Sequence, residues 1–454
     1  MIEKDIIIAQ ATANGVAAVS MIRLSGAGCI ELVAGQFSKE LSKAASHTIH
    51  YGTISDSNKV ALDDCLVSIF RNPTSYTKED CVEISTHGSP YIVQVIINTF
   101  LSLGARIANR GEFTLRAFLN GQLDLTQAEA VADLIKADTE KSHLIALEQL
   151  RGGYSQKLKE LRAELIQLAS LLELELDFGE EDVEFAERSQ LKSTVQALNI
   201  EVTKLLDSYE AGNAIKTGIR TVIAGKPNAG KSTLLNALLQ DDRAIVSPQA
   251  GTTRDTIEEE LVLDGIKYIL TDTAGLHLSQ DHIEKVGIEK AKAKLNLADL
   301  VLYVVDSARL SESSLLKDEI QALSYSGKLL LIFNKSDLAQ DIELLPFSEL
   351  DLPYLTCSAM EGHNIKELKS RMSEMVIQEQ ITDGSILTNQ RHYDALVKTR
   401  EAISQVETGL QNQLSGDLLA IHIKESLYQI GLITGEISTD DLLENIFSSF
   451  CIGK

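Results

Sequence analysis

The stretch GKPNAGKS, residues 225–232, follows the apolar run RTVIA (220–224) and leads into the helix-forming run STLLNALL (232–239). It fits the pattern G-x-x-x-x-G-K-[ST] of a glycine-rich loop between a strand and a helix, where backbone N–H groups bind phosphate oxygens. In this pattern Lys231 reaches the β- and γ-phosphates of a nucleotide, and Ser232 ligates Mg²⁺. The stretch therefore predicts an α/β domain that binds a nucleoside triphosphate.

Strand-like runs alternate with helical sequence on both sides of this loop. Besides the strand that leads into the loop, the runs are YILTDTAG (268–275), DLVLYVVDS (299–307), KLLLIFNKSD (328–337) and YLTCSA (354–359). Such alternation is typical of a parallel, doubly wound sheet.

Polar motifs at the ends of these runs indicate a guanine nucleotide. Asp272 in DTAG suits a contact to magnesium through a water molecule, and the Gly275 amide can sense the γ-phosphate. Asp337 in NKSD (334–337) can accept from the N1–H and 2-amino groups of guanine, which adenine does not present as donors. The CSA run (357–359) supplies a backbone contact to the base. The ordered set predicts GTP binding.

The residues around the expected hydrolysis site are unusual. Leu276 stands where Ras-like switches place a water-orienting Gln. In SPQAGTTRD (247–255), Thr253 is a candidate magnesium ligand, and loop carbonyls with Asn228 suit a monovalent cation in place of an arginine; Asn228 also suits an ordinary turn. Glu284 is a candidate for positioning water, although by sequence alone it is more typical of a helix surface.

The flanking regions differ in character from the α/β segment. Residues 1–120 mix β-rich runs with one apolar helix, which indicates an α+β domain. Helical apolar spacing dominates from 121 to about 215 and returns after 381. The simplest organisation is a Ras-like domain at 217–380, inserted into a helical domain made of 121–216 and 381–454.

Composition limits the classes of protein and partner. The net charge of −23, from 42 basic and 65 acidic residues, disfavours stand-alone nucleic-acid binding. Five scattered cysteines without CxxC spacing argue against zinc and a disulfide framework, and favour a reducing cytoplasm. No run reaches the ~18 apolar residues of a membrane span, and the start does not read as a signal peptide.

The chain ends in FCIGK, residues 450–454. Cys451 lies where a prenylation signal would place it, but Gly453, Lys454 and the lack of a polybasic stretch fit that signal poorly. An alternative is a buried thiol at a helix C-terminus, since free cysteines are commonly buried.

The GTP-binding motifs resemble a known family when they are taken with two further stretches, GEFTLRAFLNGQLDLTQAEAVADLI (111–135) and the terminal CIGK. The chain closely resembles the MnmE (TrmE) family of tRNA-modification GTPases over essentially its whole length. The resemblance implies potassium-activated GTP hydrolysis in a homodimer whose G domains meet across their nucleotide faces. It implies the following site residues: Glu284 as the catalytic glutamate; Ser232 and Thr253 as Mg²⁺ ligands; and Asn228, Ser247, Gln249 and Thr252 around K⁺. The predicted GTP-binding residues are Asn228, Ala229, Gly230, Lys231, Ser232, Thr233, Ser247, Thr252, Thr253, Asp272, Thr273, Ala274, Gly275, Asn334, Lys335, Asp337, Ser358 and Ala359.

The resemblance also implies a tetrahydrofolate-binding and dimerisation domain at 1–120. Its matching folate positions are Arg23, Glu83, Gln122 and Lys454, although the family usually has Lys or Arg where this chain has Gln122. Cys451 would face 5,10-methylene- or 5-formyl-tetrahydrofolate as a nucleophile, an acid or a positional group.

The implied partner is an FAD-containing protein of the MnmG type, in a heterotetramer or larger complex. That partner would do much of the tRNA binding, which agrees with the acidic charge of this chain. Together they would add an aminomethyl or carboxymethylaminomethyl group to C5 of the wobble uridine, using a folate one-carbon unit. A ribosome-assembly or regulatory GTPase is the competing hypothesis, since it shares the GTP motifs but needs neither a folate-type domain nor CIGK.

Overall fold

The computed structural model describes residues 5–177, 188–240, 258–272, 297–308, 327–338, 352–376 and 386–454. Contacts divide the chain into two compact units. The first unit comprises Met1–Lys136, Ala146–Val202 and Asp394–Lys454, and the second comprises Ala137–Ile145 and Thr203–Tyr393.

The described ranges contain the following strands and helices, in chain order. They are β1 (Ile7–Gln10), β2 (Ala17–Ser25), α1 (Cys29–Ala34), β3 (Thr48–Ser55), β4 (Ala61–Phe70), β5 (Cys81–Gly88), α2 (Pro90–Ser102), β6 (Arg106–Ile107), α3 (Glu112–Leu119), α4 (Leu125–Lys136), α5 (Glu140–Leu150), α6 (Gly153–Asp177), α7 (Arg188–Asp207), α8 (Tyr209–Thr217), β7 (Ile219–Gly225), α9 (Lys231–Leu239), β8 (Glu258–Leu263), β9 (Ile266–Asp272), β10 (Leu300–Asp306), β11 (Lys328–Asn334), β12 (Tyr354–Thr356), α10 (Ile365–Val376), α11 (Gln390–Gln411), α12 (Gly416–Thr434) and α13 (Asp440–Ser448).

The first unit contains a sheet in the order β3-β4-β5-β2-β1-β6, in which the β1–β6 pair is parallel and the other pairs are antiparallel. Alternation along β4 buries Cys65, Val67 and Ile69 on one face, as expected for a half-buried strand. Helices α1 and α2 pack on that face, with Ile96 and Phe100 fully buried. This is the α+β arrangement that the sequence predicts.

The rest of the first unit is mainly helical in its described ranges. Along α6, Leu158, Leu161, Leu165, Leu168 and Leu172 are buried at alternating spacings of three and four residues, which places them on one face of the helix. That helix packs against α12.

The second unit contains a sheet in the order β12-β11-β10-β7-β9-β8. The five strands from β12 to β9 are parallel, as predicted, and β10 is an almost uninterrupted apolar strand because both of its faces are covered. Strand β8 was not predicted. It runs antiparallel to β9 at the sheet edge, and the turn between them places Asp264 and Gly265 at φ 49° and 76°.

Within the described ranges, no helix combines the length and apolar character that a bilayer crossing requires.

Candidate functional site

The glycine-rich loop connects the end of β7 to the start of α9, as the sequence predicts. Gly225, Asn228 and Gly230 have φ angles of 141°, 64° and 94°. A Cβ atom on Gly225 would lie 2.2 Å from the Val304 carbonyl oxygen, and one on Gly230 would lie 2.3 Å from Asn334 Nδ2. Both glycines are therefore required by close approach as well as by backbone conformation.

Lys231 is held inside the curve of this loop. Its Nζ donates to the carbonyl oxygens of Gly225 and Lys226, both at 3.0 Å, and its side chain is buried. Ser232 and Thr233 follow on the first turn of α9 and are exposed. A buried ammonium beside a helix N-terminus is an arrangement that attracts an anionic group such as a phosphate.

Asn334 joins the glycine-rich loop to the CSA loop. The side chain is buried; its Nδ2 donates to the Ala229 carbonyl at 3.0 Å, and its Oδ1 accepts from the Ala359 N–H at 3.0 Å. The Ser336 N–H donates to the Cys357 carbonyl at 3.1 Å. These bonds fix the three loops relative to one another, so Asn334 supports the site through protein contacts.

Lys335 makes a second connection to the glycine-rich loop. One of its two partners was not predicted from the sequence. Its Nζ donates to the Asn228 carbonyl and pairs with Asp306 Oδ2, both at 2.7 Å. Asp306 is the last residue of β10. Its position as an acidic residue at the carboxyl end of an apolar strand could have identified it in the sequence. Asp337 is exposed on the same loop as Lys335.

Asp272 ends β9, and its backbone pairs in register with Ile223 near the carboxyl end of β7. The backbone of the DTAG motif therefore begins beside the glycine-rich loop. The other residues predicted around magnesium, potassium and the attacking water lie outside the described residues: Ser247, Gln249, Thr252, Thr253, Thr273, Ala274, Gly275, Leu276 and Glu284.

A separate polar cluster occupies the first unit, where Arg23 on β2 faces Glu83 on β5. The two residues are direct cross-strand partners, and two guanidinium nitrogens reach Glu83 Oε1 at 2.9 and 2.7 Å. The guanidinium carbon lies 5.6 Å from the Tyr76 ring centre and 5.7 Å from that of Phe113. The ion pair and the aromatic rings together fix the orientation of this cation.

The end of the chain joins this cluster. The Gly453 carbonyl accepts from an Arg23 nitrogen at 3.4 Å. Burial disfavours the charged ammonium of Lys454 and nearby Arg23 repels it, so the pKa of Lys454 lies below its usual value. Gln122 is exposed on the turn after α3, and no hydrogen bond or ion pair within the described residues connects its side chain to Arg23, Glu83 or Lys454.

Cys451 is exposed, so the expectation of a buried thiol at a helix C-terminus is wrong. Helix α13 ends at Ser448, and the Phe450 ring takes the buried position instead. The other four cysteines are buried, and burial raises the pKa of Cys81 and Cys357 to about 12. Cys451 is therefore the accessible thiol of the chain.

The first unit also contains a buried ion cluster that was not predicted from the sequence. Arg116 is 1% exposed and pairs with Asp5 at 2.7 Å, and with Glu79 and Glu112 at 3.1 Å. The i,i+4 spacing of Glu112 and Arg116 on α3 was a signal for one pair. The other two partners come from distant segments.

Two family descriptions match the chain: "GTP-binding protein TrmE N-terminus" over residues 6–122 and "MnmE helical domain" over residues 125–451. The chain is 48% identical to the tRNA modification GTPase MnmE of Flavobacterium johnsoniae, with both chains covered in full. It is 47% identical to the protein of the same name in Cytophaga hutchinsonii, covering 99% of this chain and 98% of that one.

Among solved structures, the G domain of the T. maritima FeoB iron transporter matches 35% of this chain and 99% of its own, at 27% identity and a TM-score of 0.28, too low to support a conclusion. The family assignment rests instead on the match across residues 125–451 and on the full-length relatives. On these grounds the chain belongs to the MnmE family of tRNA modification GTPases.

Proposed function

We propose that this chain is a potassium-activated GTP hydrolase that acts, with an FAD-containing partner, in the modification of the wobble uridine of tRNA. The polar cluster around Arg23 and Glu83 favours this function over that of an assembly GTPase. Arg23, Glu83 and Lys454 converge in the first unit, and the accessible thiol of Cys451 lies on the same chain end. A GTPase that only times assembly has no need of such a cluster.

The glycine-rich loop supports the GTP half of the proposal. Lys231 would lie against the β- and γ-phosphates, with backbone N–H groups of α9 around them. The exposed Ser232 hydroxyl suits a Mg²⁺ ion, which when bound neutralises charge on the phosphates. Asp337, exposed on the loop that Ser336 ties to the CSA loop, would accept the donor edge of guanine.

Potassium activation is proposed from Asn228. It is exposed in the loop at φ 64°, while Lys335 holds its carbonyl at 2.7 Å. Its amide oxygen would then be presented to a monovalent cation near the phosphates. GTP hydrolysis is expected to be much faster in potassium than in sodium buffer, and Asn228→Ala should remove the difference while sparing GTP binding. Equal wild-type rates in the two buffers would contradict this.

A reduced folate is the ligand proposed for the first unit. Arg23 and Lys454 bring two cationic side chains to the cluster, and cations suit the anionic glutamate tail of a folate. An anion would raise the lowered pKa of Lys454, so binding of 5-formyl-tetrahydrofolate at alkaline pH should take up protons. Calorimetry in buffers of different ionisation enthalpy measures this. Lys454→Met should abolish the uptake, and uptake that persists in Lys454→Met would refute the assignment.

A homodimer formed through the first unit is part of the proposal. Val19, Ile49, Tyr51 and Leu66 are 44–66% exposed, and they lie on the sheet face opposite α1 and α2. Exposed apolar side chains on one face suit a second copy of the chain. Sedimentation velocity should give a dimer for the wild type and a monomer for Tyr51→Glu; a wild-type monomer at micromolar concentration would oppose it.

Cys451→Ser tests the proposed role in tRNA modification. In a strain that lacks the gene, this variant should hydrolyse GTP normally but fail to restore wobble-uridine modification, because serine is a far poorer nucleophile and acid. Nucleoside mass spectrometry of total tRNA provides the measurement. If the deletion strain and its parent contain the same level of unmodified tRNA, the result favours the assembly-factor alternative.

A further inference from the structure

The last residues of the chain lie against residues 110–113. Arg110 and Ile452 form an isolated antiparallel bridge. The Gly111 N–H donates to the Cys451 carbonyl at 3.3 Å, and the Phe113 N–H donates to a backbone oxygen of Lys454 at 3.2 Å. We call residues 449–454 the tail. Its register against the start of α3 is thus set by backbone hydrogen bonds.

The side chain of Arg110 adds a contact on the other side of Cys451. Its Nε donates to the Phe450 carbonyl at 2.9 Å. The carbonyls of residues 450 and 451 are therefore both bound by neighbouring groups, one by the Arg110 side chain and one by the Gly111 backbone. A charged donor makes the stronger kind of hydrogen bond.

Hydrophobic packing holds the tail only at its first residues. The Phe450 ring is buried 5.2 Å from the Phe447 ring, in a cluster with Leu125 and Ala128. Beyond it Cys451 is exposed, and Ile452 is 55% exposed. The thiol-bearing part of the tail therefore depends on its polar contacts.

Gly453 makes the approach of the tail very close. At φ 94°, a Cβ atom there would lie 2.3 Å from the Gln10 carbonyl oxygen. After Phe450, the tail backbone therefore lies against the end of β1. At that point the Gly453 carbonyl accepts a hydrogen bond from Arg23. A shift of the tail at Phe450 would move Cys451 relative to Arg23 and Glu83.

We propose that Arg110 is a positioning residue for Cys451: its hydrogen bond to the Phe450 carbonyl fixes the tail so that the thiol keeps a constant position relative to the Arg23–Glu83 pair. The inference rests on the proposed function, because that function is what gives Cys451 its chemistry. Arg110 itself is exposed and touches neither the thiol nor the ion pair in the described contacts.

The test compares Arg110→Met, which keeps the apolar stem but removes the donor, with Arg110→Lys, which keeps a donor. Arg151→Met is the matched control, since Arg151 is an exposed arginine that follows α5 and pairs only with Glu148 in the described contacts. Because Arg110 is exposed and the Phe450 anchor stays intact, all three variants are expected to fold.

Hydrogen exchange followed by mass spectrometry measures tail docking independently of any activity. In Arg110→Met, the amides of Gly111 and Phe113 should exchange about tenfold faster, as expected from loss of one charge-assisted hydrogen bond. Arg110→Lys should recover most of the protection, and Arg151→Met should match the wild type. Unchanged exchange in Arg110→Met would overturn the inference.

Steady-state modification of tRNA is measured on the same variants. Arg110→Met should lower kcat about tenfold while the KM for tRNA and the GTPase rate stay unchanged, since only the position of the thiol is affected. A tail that loosens without any change in kcat would overturn the positioning role. If the wild type itself modifies no tRNA while the exchange results hold, the proposed function fails and tail docking by Arg110 stands.

Discussion

Replacing Arg116 with Met should destabilise the first unit strongly, because Arg116 is a fully buried cation among three carboxylates. Met keeps the length and apolar volume of the stem but leaves Asp5, Glu79 and Glu112 without their central partner. The second unit contains none of these residues, so GTP binding should be unaffected.

The expected loss is about 3 kcal/mol, the lower end of the range for breaking a buried ion pair. Two observations favour the lower end. Asp5 and Glu79 remain 22% and 25% exposed, so water can solvate them after the change. The Nε of Arg116 is buried and has no hydrogen-bond partner among the described residues, so the arginine itself is not ideally satisfied.

The pH dependence follows from the carboxylates. Burial alone would raise the pKa of Glu112, but hydrogen bonds from Arg106, the Asn109 N–H and Arg116 lower it below the usual value of a glutamate. The pKa of Asp5 is also lowered, for the same kind of reason. A lowered folded-state pKa contributes stability above the unfolded value, and this contribution disappears as pH falls through the folded value. The gap between wild type and Arg116→Met should be full at pH 7 and shrink below about pH 4.

Hydrogen exchange in α3 is the suitable assay, since it reports opening of the first unit alone, and ~3 kcal/mol corresponds to roughly 10²-fold faster exchange. Arg151→Met, which breaks an exposed pair, is the control and should cost under ~1 kcal/mol. The double change Arg116→Met with Glu112→Gln should recover part of the loss, because Glu112 is the most buried of the carboxylates. An Arg116→Met variant that exchanges like the control would refute the reasoning.

Three further predictions concern the second unit. Gly230→Ala should abolish GTP binding without unfolding the unit, because a Cβ there would lie 2.3 Å from Asn334 Nδ2 at a φ of 94°; calorimetry that shows wild-type affinity would contradict this. Asp337→Asn should reduce the preference for GTP over ATP by about 1–3 kcal/mol, measured by competition binding, since an amide cannot accept both guanine donors; an unchanged preference would show that Asp337 does not read the base. The Glu284→Ala variant should bind GTP normally but hydrolyse it about 10²-fold more slowly. A normal single-turnover rate would show that Glu284 is only a surface residue.

Several features could be read directly from the sequence because a few adjacent residues determine them. The loop at 225–232 needs glycines where the backbone has positive φ, and its spacing between an apolar run and a helix specifies both flanking elements. The parallel strands are short apolar runs, so their positions followed from hydropathy alone. The sequence also placed Arg23 and Glu83 in one site, but only through resemblance to a family.

The tertiary structure decided features whose partners are far apart in the chain. Arg110 and Phe450 are separated by 340 positions, and Asp5 lies 111 positions from Arg116. Local preferences do not specify such pairs, because the free energy of a buried charge or a docked tail depends on which groups the whole fold brings against it. For the same reason the exposure of Cys451 was missed: whether a thiol is buried depends on the neighbouring Phe450 finding a pocket, which only the packed chain provides.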